Sequence, residues 1–367
     1  MTTLFESSSI NSLNLSNRFV RSATWEGQAT AEGAVTPKLI STMTALAEGG
    51  VGLIITSHAY VRPEGHATPW QIGVYSDELV PGLQQMAEAV HASGGKIVLQ
   101  LAHAGNFAAE QLIGQPPLVV SNFDGLAGSP RQEITTEDIR ELITAFADAA
   151  RRAKSAGFDG VQIHAAHGYL LSQFLSPAFN RRKDDYGGDI RNRARIILEI
   201  YSAIRRAVGT NYPVLIKMNC RDFIENGMTL EESLLVARLL SEAGLDAVEL
   251  SGDMLSGKLT PSRKGITSEE KEAYFGTDAR AFKQRINVPL ILVGGIRSFQ
   301  VAERLVSDGV ADYISMSRPF IREPDLIKRW KEGDRRKAEC NSDNLCFRPA
   351  FKGEGIYCVA QRLEKTS

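Results

Sequence analysis

Four cysteines in 367 residues are too few and too unevenly spread for a secreted disulfide scaffold: Cys220 stands alone in an apolar segment, and Cys340, Cys346 and Cys358 crowd the C-terminus. No apolar run reaches the ~18 residues of a membrane span. The opening MTTLFESSSINSLNLSNRF has no basic start followed by an apolar core. An excess of charge of one sign is also missing. Lys plus Arg total 42 against 43 for Asp plus Glu, which argues against nucleic acid or a membrane surface as a partner. The chain reads as cytoplasmic, with a small molecule as the expected partner. Nor is there a Pro/Gly/Ser-rich linker, a low-complexity tract or a break in composition to divide it.

What is present is an alternation. Eight segments rich in Val, Ile and Leu read as buried strands, at 18–24, 52–58, 96–105, 160–166, 214–219, 247–252, 290–295 and 313–318. Longer amphipathic stretches follow them, such as SDELVPGLQQMAEAVHASG, TTEDIRELITAFADAARRAKSAG and TLEESLLVARLLSEAG. Each of these three has a polar cap in front, apolar residues at helical spacing and glycine at the end. Eight such units predict a closed (β/α)₈ TIM barrel over residues 1–335, with a cysteine-containing C-terminal extension at 336–367. Two longer loops, 106–134 and 168–189, are expected to lie over the barrel mouth.

Reactive groups of such barrels lie at the C-terminal ends of the strands. Applied here, that rule selects Thr24 and Trp25, His58, Gln100 and His103, His164 and His167, Lys217, Gly294 and Gly295, and Ser317 and Arg318. Polar side chains in apolar segments need partners, so a ring of them at one end points to a bound polar ligand. The last two strands end in Gly-Gly and Ser-Arg, offering bare N–H groups and a guanidinium at the usual phosphate site of a barrel. The phosphate could belong to a sugar, a nucleotide or a flavin. Lys217 at a strand end also fits a Schiff-base lyase or aldolase. In HAAHGYLLSQFLSP the pair His164 and His167 lacks the glutamate and third ligand of a zinc site, so no metal is assigned. Two imidazoles with Tyr169 close behind suit hydrogen bonds to a substrate oxygen and delivery of a proton.

QLAHAG (100–105), HAAHGYLLSQFLSP (164–177), NRRKDDYGG (180–188), NR (192–193), GG (294–295) and SRPFIREPD (317–325) together resemble the Old Yellow Enzyme family, over residues 3–335. The barrel most resembles that of the 2,4-dienoyl-CoA reductase branch. The resemblance implies bound FMN, reduction by NADH or NADPH, and hydride transfer to the β-carbon of an α,β-unsaturated carbonyl or nitro compound. By position it places Gln100 on the flavin pyrimidine edge, Lys217 near N1 and O2, and Ala23 and Thr24 in backbone contact. Gly294, Gly295, Ser317 and Arg318 fall at the phosphate, His164 and His167 at the substrate oxygen, and Tyr169 at the proton donor to the α-carbon. How many copies assemble varies within the family, so a homo-oligomer is left open.

Three positions depart from the family pattern. Trp25 stands where relatives place a cysteine or threonine near flavin O4, His58 where a small residue is usual, and Lys217 where arginine is commoner. Trp25, together with the altered tail described next, raises a flavin-bearing electron carrier or NADH oxidase-like relative, without an alkene substrate, as an alternative. In the tail, ECNSDNLCFRPAFKGEGIYC resembles the iron–sulfur segment of the longer branch, with Asp343 in place of the second of four thiolates. The tail is therefore expected to be a remnant without a cluster. No Gly-x-Gly-x-x-Gly follows a strand.

Overall fold

The computed structural model describes residues 3–123, 130–258 and 260–364. All eight expected strands form, and they close into one barrel. They are β1 (Phe19–Arg21), β2 (Leu53–Tyr60), β3 (Ile97–Ala102), β4 (Gly160–Ala165), β5 (Val214–Asn219), β6 (Ala247–Ser251), β7 (Leu290–Val293) and β8 (Tyr313–Met316). Every neighbouring pair is parallel, including β8 against β1. The strands end earlier than read at 24, 105, 295 and 318, because the chain leaves the ladder there to form the loops of the mouth.

The three helices singled out in the sequence are α2 (Val80–Ala92), α3 (Thr136–Ser155) and α5 (Leu230–Glu242); the last two are preceded by Thr135 and Thr229, each in a full capping box with Asp138 or Glu232. The other helices of the outer layer are α1 (Pro37–Glu48), α4 (Ile190–Val208), α6 (Gly276–Lys283), α7 (Phe299–Ser307) and α8 (Leu326–Lys331). Their apolar faces pack on alternate strand residues such as Val161, Ile163, Val214, Ile216, Val248 and Leu250. No helix among the described residues is long and apolar enough to cross a membrane.

The residues between those alternates point inward, as the two-residue period of a strand requires. At the lower end they form a separate apolar layer of Val20, Leu53, Ile55, Val98, Leu215, Ala247, Ile291 and Tyr313. An antiparallel hairpin, Ser8–Ile10 with Leu13–Leu15, plugs this end with Ile10, Leu13 and Leu15. One inward step higher the layer becomes polar: Gln100, Gln162, Lys217, Glu249 and Ser315, all buried. The strand period thus sets polar groups directly on an apolar floor, beneath the mouth.

The two long loops do not roof the mouth as expected. Of their described residues only Tyr169 reaches the cavity; 124–129 lie outside the described residues. Two side chains tie the loops to their own backbone: Arg182 donates to the carbonyls of Val120 and Ile134, and Asn180 to those of Phe174 and Tyr186. The outer wall comes instead from the loop after β6 and from the C-terminal extension, through Leu255, Thr260, Ser262, Tyr274, Asn344, Phe347 and Phe351. The extension is tied down by Asn344, which accepts from Arg318 Nη1 at 2.7 Å and donates to the Ser262 carbonyl at 2.6 Å, and by Ile356 N–H on the Glu26 carbonyl at 2.8 Å.

Candidate active site

A cavity of about 420 Å³ opens at the C-terminal ends of the strands, a size typical of small-molecule sites. Ala23, Thr24, Trp25, His58, Gln100, His164, His167, Tyr169, Lys217, Gly295, Ser317 and Arg318 all line it. Gly294 does not. It sits just behind the wall, where its carbonyl accepts from Tyr274 N–H at 3.2 Å. His103 is also held apart from the cavity: Nδ1 accepts from Gly105 N–H at 3.1 Å, and burial lowers its pKa to about 3.

One wall is aromatic and imidazole-rich. A register shift in β2 between Ile55 and His58 sets His58 opposite Gln100 and aims it inward. Its Nε2 lies 3.1 Å from the Tyr169 hydroxyl, and burial, aided by His66, lowers its pKa to about 4. His164 is the last inward residue of β4, with its ring centroid 4.6 Å from Tyr169 and 5.5 Å from His167. His167 has left-handed backbone, φ 65°. That conformation is fixed by its N–H on Asn219 Oδ1 at 3.1 Å and by Nε2 against Ser251 Oγ at 2.7 Å. Burial, reinforced by neighbouring positive and imidazole groups, holds both His164 and His167 well below the usual histidine range. Burial pushes the Tyr169 phenol up. At neutral pH the wall is therefore three neutral imidazoles and a protonated phenol. His164 Nδ1 has no hydrogen-bond partner and is buried.

Arg318, Gly295 and Ser317 form a candidate anion site in the same lining. Arg318 is only 7% exposed, yet no carboxylate pairs with it among the described residues; its one hydrogen bond goes to the Asn344 amide. A buried guanidinium without an acid partner is costly unless an anion meets it. Gly295 is beside it in the lining at φ 72°, and a Cβ there would stand 2.7 Å from the Tyr274 ring. That close approach of bare backbone, with Ser317 Oγ 2.7 Å from Thr24 Oγ1, fits the phosphate of FMN. Trp25 lies in the same lining. Its indole N–H is buried and unpartnered, and its ring meets Phe351 at 4.7 Å. Rather than turning away, Trp25 is held at the cavity by the tail.

In the floor, Lys217 Nζ donates to Ser22 Oγ at 2.7 Å and to Glu249 Oε1 at 3.2 Å, while Gln100 Nε2 donates to Gln162 Oε1 at 2.7 Å. Glu249, Gln162, Ser22 and Ser315 were missed in the sequence, although a lone Glu in AVELSG and a lone Gln in GVQIHAA are visible signals of polar groups in buried strands. The tail residues Asn344, Phe347 and Phe351 had no such signal, because their role depends on a chain path that no local pattern reveals.

Comparison with known proteins fits this geometry. The chain is 36% identical over 346 residues to an NADH oxidase of Thermoanaerobacter brockii, covering 93% of the chain and 53% of that relative. It is 32% identical to an NADPH dehydrogenase of Bacillus subtilis, covering 88% of the chain and 92% of the relative. Among solved structures, a 2-naphthoyl-CoA reductase complex superposes with a TM-score of 0.90 at 29% identity, covering 97% of this chain and 56% of that one. An Old Yellow Enzyme homologue of Zymomonas mobilis gives 0.78 at 26% identity, with 93% and 96% covered. The chain thus spans about half the length of some relatives, such as the NADH oxidase at 53%, and nearly all of others. A family model described as NADH:flavin oxidoreductase / NADH oxidase matches residues 3–337. With FMN as the cofactor of its barrel, the chain belongs to this family, the Old Yellow Enzyme-like NADH:flavin oxidoreductases.

Proposed function

We propose that the protein uses FMN and NADH or NADPH to reduce the C=C bond of α,β-unsaturated carbonyl or nitro compounds. The observation that carries this reading is the imidazole wall: His164 with an unpartnered Nδ1, His167 beside it, and Tyr169 within ring contact, all in one cavity. FMN, when bound, supplies the hydride. Arg318, Gly295, Ser317 and Thr24 would hold its phosphate, and Gln100 and Lys217 its pyrimidine edge, with Ala23, Trp25 and His58 as neighbours.

The protein's own groups account for the rest. His164 and His167, with ring centroids 5.5 Å apart in the same lining, are suited to donate to an oxygen that gains charge as the alkene accepts hydride. Because both are neutral, each donates without adding a full positive charge to the buried site. Tyr169 keeps its proton across the accessible pH range and can deliver it from the hydroxyl to the α-carbon. His58, hydrogen-bonded to that hydroxyl, fixes its direction. The Schiff-base reading of Lys217 loses support, since its Nζ is held in an ion pair with Glu249 rather than left as a free amine.

The experiment is anaerobic reduction by NADH or NADPH followed by addition of 2-cyclohexenone or maleimide. Reoxidation well above the rate in buffer is expected. Reduced flavin that survives a panel of enones, nitroalkenes and enoyl thioesters would remove the proposal. The electron-carrier reading, favoured by the likeness to an NADH oxidase, would then take its place.

A further inference from the structure

The polar floor of the barrel is wired through one residue. Glu249 is the inward residue of β6 and is fully buried. Its Oε1 accepts from Lys217 Nζ at 3.2 Å, from Ser22 Oγ at 2.7 Å and from Ser315 Oγ at 2.8 Å. Its Oε2 accepts from Gln162 Nε2 at 2.9 Å. All four contacts lead to the cavity: Ser22 and Ser315 line it, and the other two reach the residues placed at the flavin. Lys217 lines it directly and is held both by the carboxylate and through Ser22. Gln100 also lines it, and its amide is fixed by Gln162, whose own amide is fixed by Glu249. The carboxylate therefore orients both side chains placed at the flavin pyrimidine edge, although it is not itself among the residues lining the cavity.

Charge follows the same wiring. Lys217 and Glu249 face each other across neighbouring strands and are cross-strand partners in register. Both are buried, at 3% and 0% exposure, so water does little to screen either one. A lysine alone at this place would present a full positive charge to the flavin. Paired with Glu249, the floor is close to neutral. Reduced flavin carries more negative charge than oxidised flavin, so a neutral floor favours the reduced form less than a bare lysine does.

We infer that Glu249 is a positioning residue for the flavin site, which aligns Lys217 and Gln100 and, by offsetting the Lys217 charge, holds the potential of the bound flavin down. This rests on the assignment of FMN to the cavity. Protein that binds no FMN would defeat that assignment, whereas the outcomes below bear on Glu249 alone.

The test uses FMN-loaded protein and two variants, with the midpoint potential and the affinity for oxidised FMN as readouts. Glu249→Gln keeps the shape and removes the charge. It is expected to favour binding of reduced over oxidised flavin by at least tenfold more than the parent does, which is about 30 mV upward for a two-electron couple. Gln162→Met cuts the link to Gln100 and leaves the ion pair. It is expected to weaken oxidised FMN at least threefold while the potential stays put. A merely structural Glu249 would lower thermal stability and leave the potential where it was. An unchanged or lowered potential in Glu249→Gln overturns the charge role. Undiminished FMN affinity in Gln162→Met overturns the alignment role, and that second variant stands even if the first does not fold.

Discussion

Lowering the pH from 6.5 to 5 should weaken the fold steeply, because His58, His103, His164 and His167 are all buried as neutral imidazoles. Their folded values lie below the ordinary 6.5, so as pH falls the unfolded chain takes up protons that the folded chain refuses. The contribution is fully present above pH 6.5 and is lost as pH drops towards the folded values. For a folded value near 4 or 3, as for His58 and His103, the loss between pH 6.5 and 5 is about 2 kcal/mol per histidine. His58 and His103 together give about 3–4 kcal/mol, a large share of the stability of a typical domain, roughly 5–15 kcal/mol; His164 and His167 act in the same direction. Asp222 and Asp253, raised by burial, work in the opposite sense, so a single-site difference is the cleaner measurement. His103 serves best, since it lies outside the cavity and makes one bond through Nδ1, to Gly105 N–H. His103→Gln should remove about 2 kcal/mol of the pH-dependent loss, measured by urea unfolding of flavin-saturated protein at the two pH values. Equal losses in the variant and the parent would mean that His103 is charged when folded, and the reasoning on the buried imidazoles would fail with it.

Tyr169→Phe should slow reoxidation by an alkene by ~10²–10⁴-fold, the usual range for loss of a positioned proton donor. Reduction by the nicotinamide should stay within about twofold by stopped flow; equal loss in both halves would assign Tyr169 a different task. His164→Ala with His167→Ala should abolish the long-wavelength band of bound phenols while FMN stays in place, and release of FMN instead would move the pair to cofactor duty. Iron and acid-labile sulfide, measured on protein purified without oxygen, should be well below one cluster per chain. Stoichiometric iron would overturn the reading of the Cys340, Cys346 and Cys358 tail as a remnant.

The barrel was legible because its signals are local and repeated. Buried strands such as VLIKMN and caps such as Thr135 with Asp138 act within a few residues, so each unit could be read alone. The same holds for the cavity residues at strand ends, since the rule that places them needs only the position of a strand's last residue. His103 shows where that rule stops. It follows Ala102 at the end of β3, but its ring is taken up by the turn at Gly105, and a one-residue offset separates it from the cavity. Gly294 likewise stands one residue behind Gly295, which lines the cavity. The two long loops were misplaced for a different reason. They were placed over the mouth because they follow strand ends, whereas Arg182 and Asn180 are spent on backbone carbonyls of these same loops.

The C-terminal extension matters most for what the site can accept. Read alone, it is a broken cysteine motif. In the fold, Asn344 satisfies Arg318 and Phe351 meets Trp25, so one eight-residue stretch touches both parts of the lining. Trp25, the boldest departure from the family pattern, and the altered tail are therefore one departure rather than two. The indole of Trp25 meets the Phe351 ring of that tail, with centroids 4.7 Å apart. Phe351 is still 62% exposed, so the extension sets an apolar surface in the lining of the cavity.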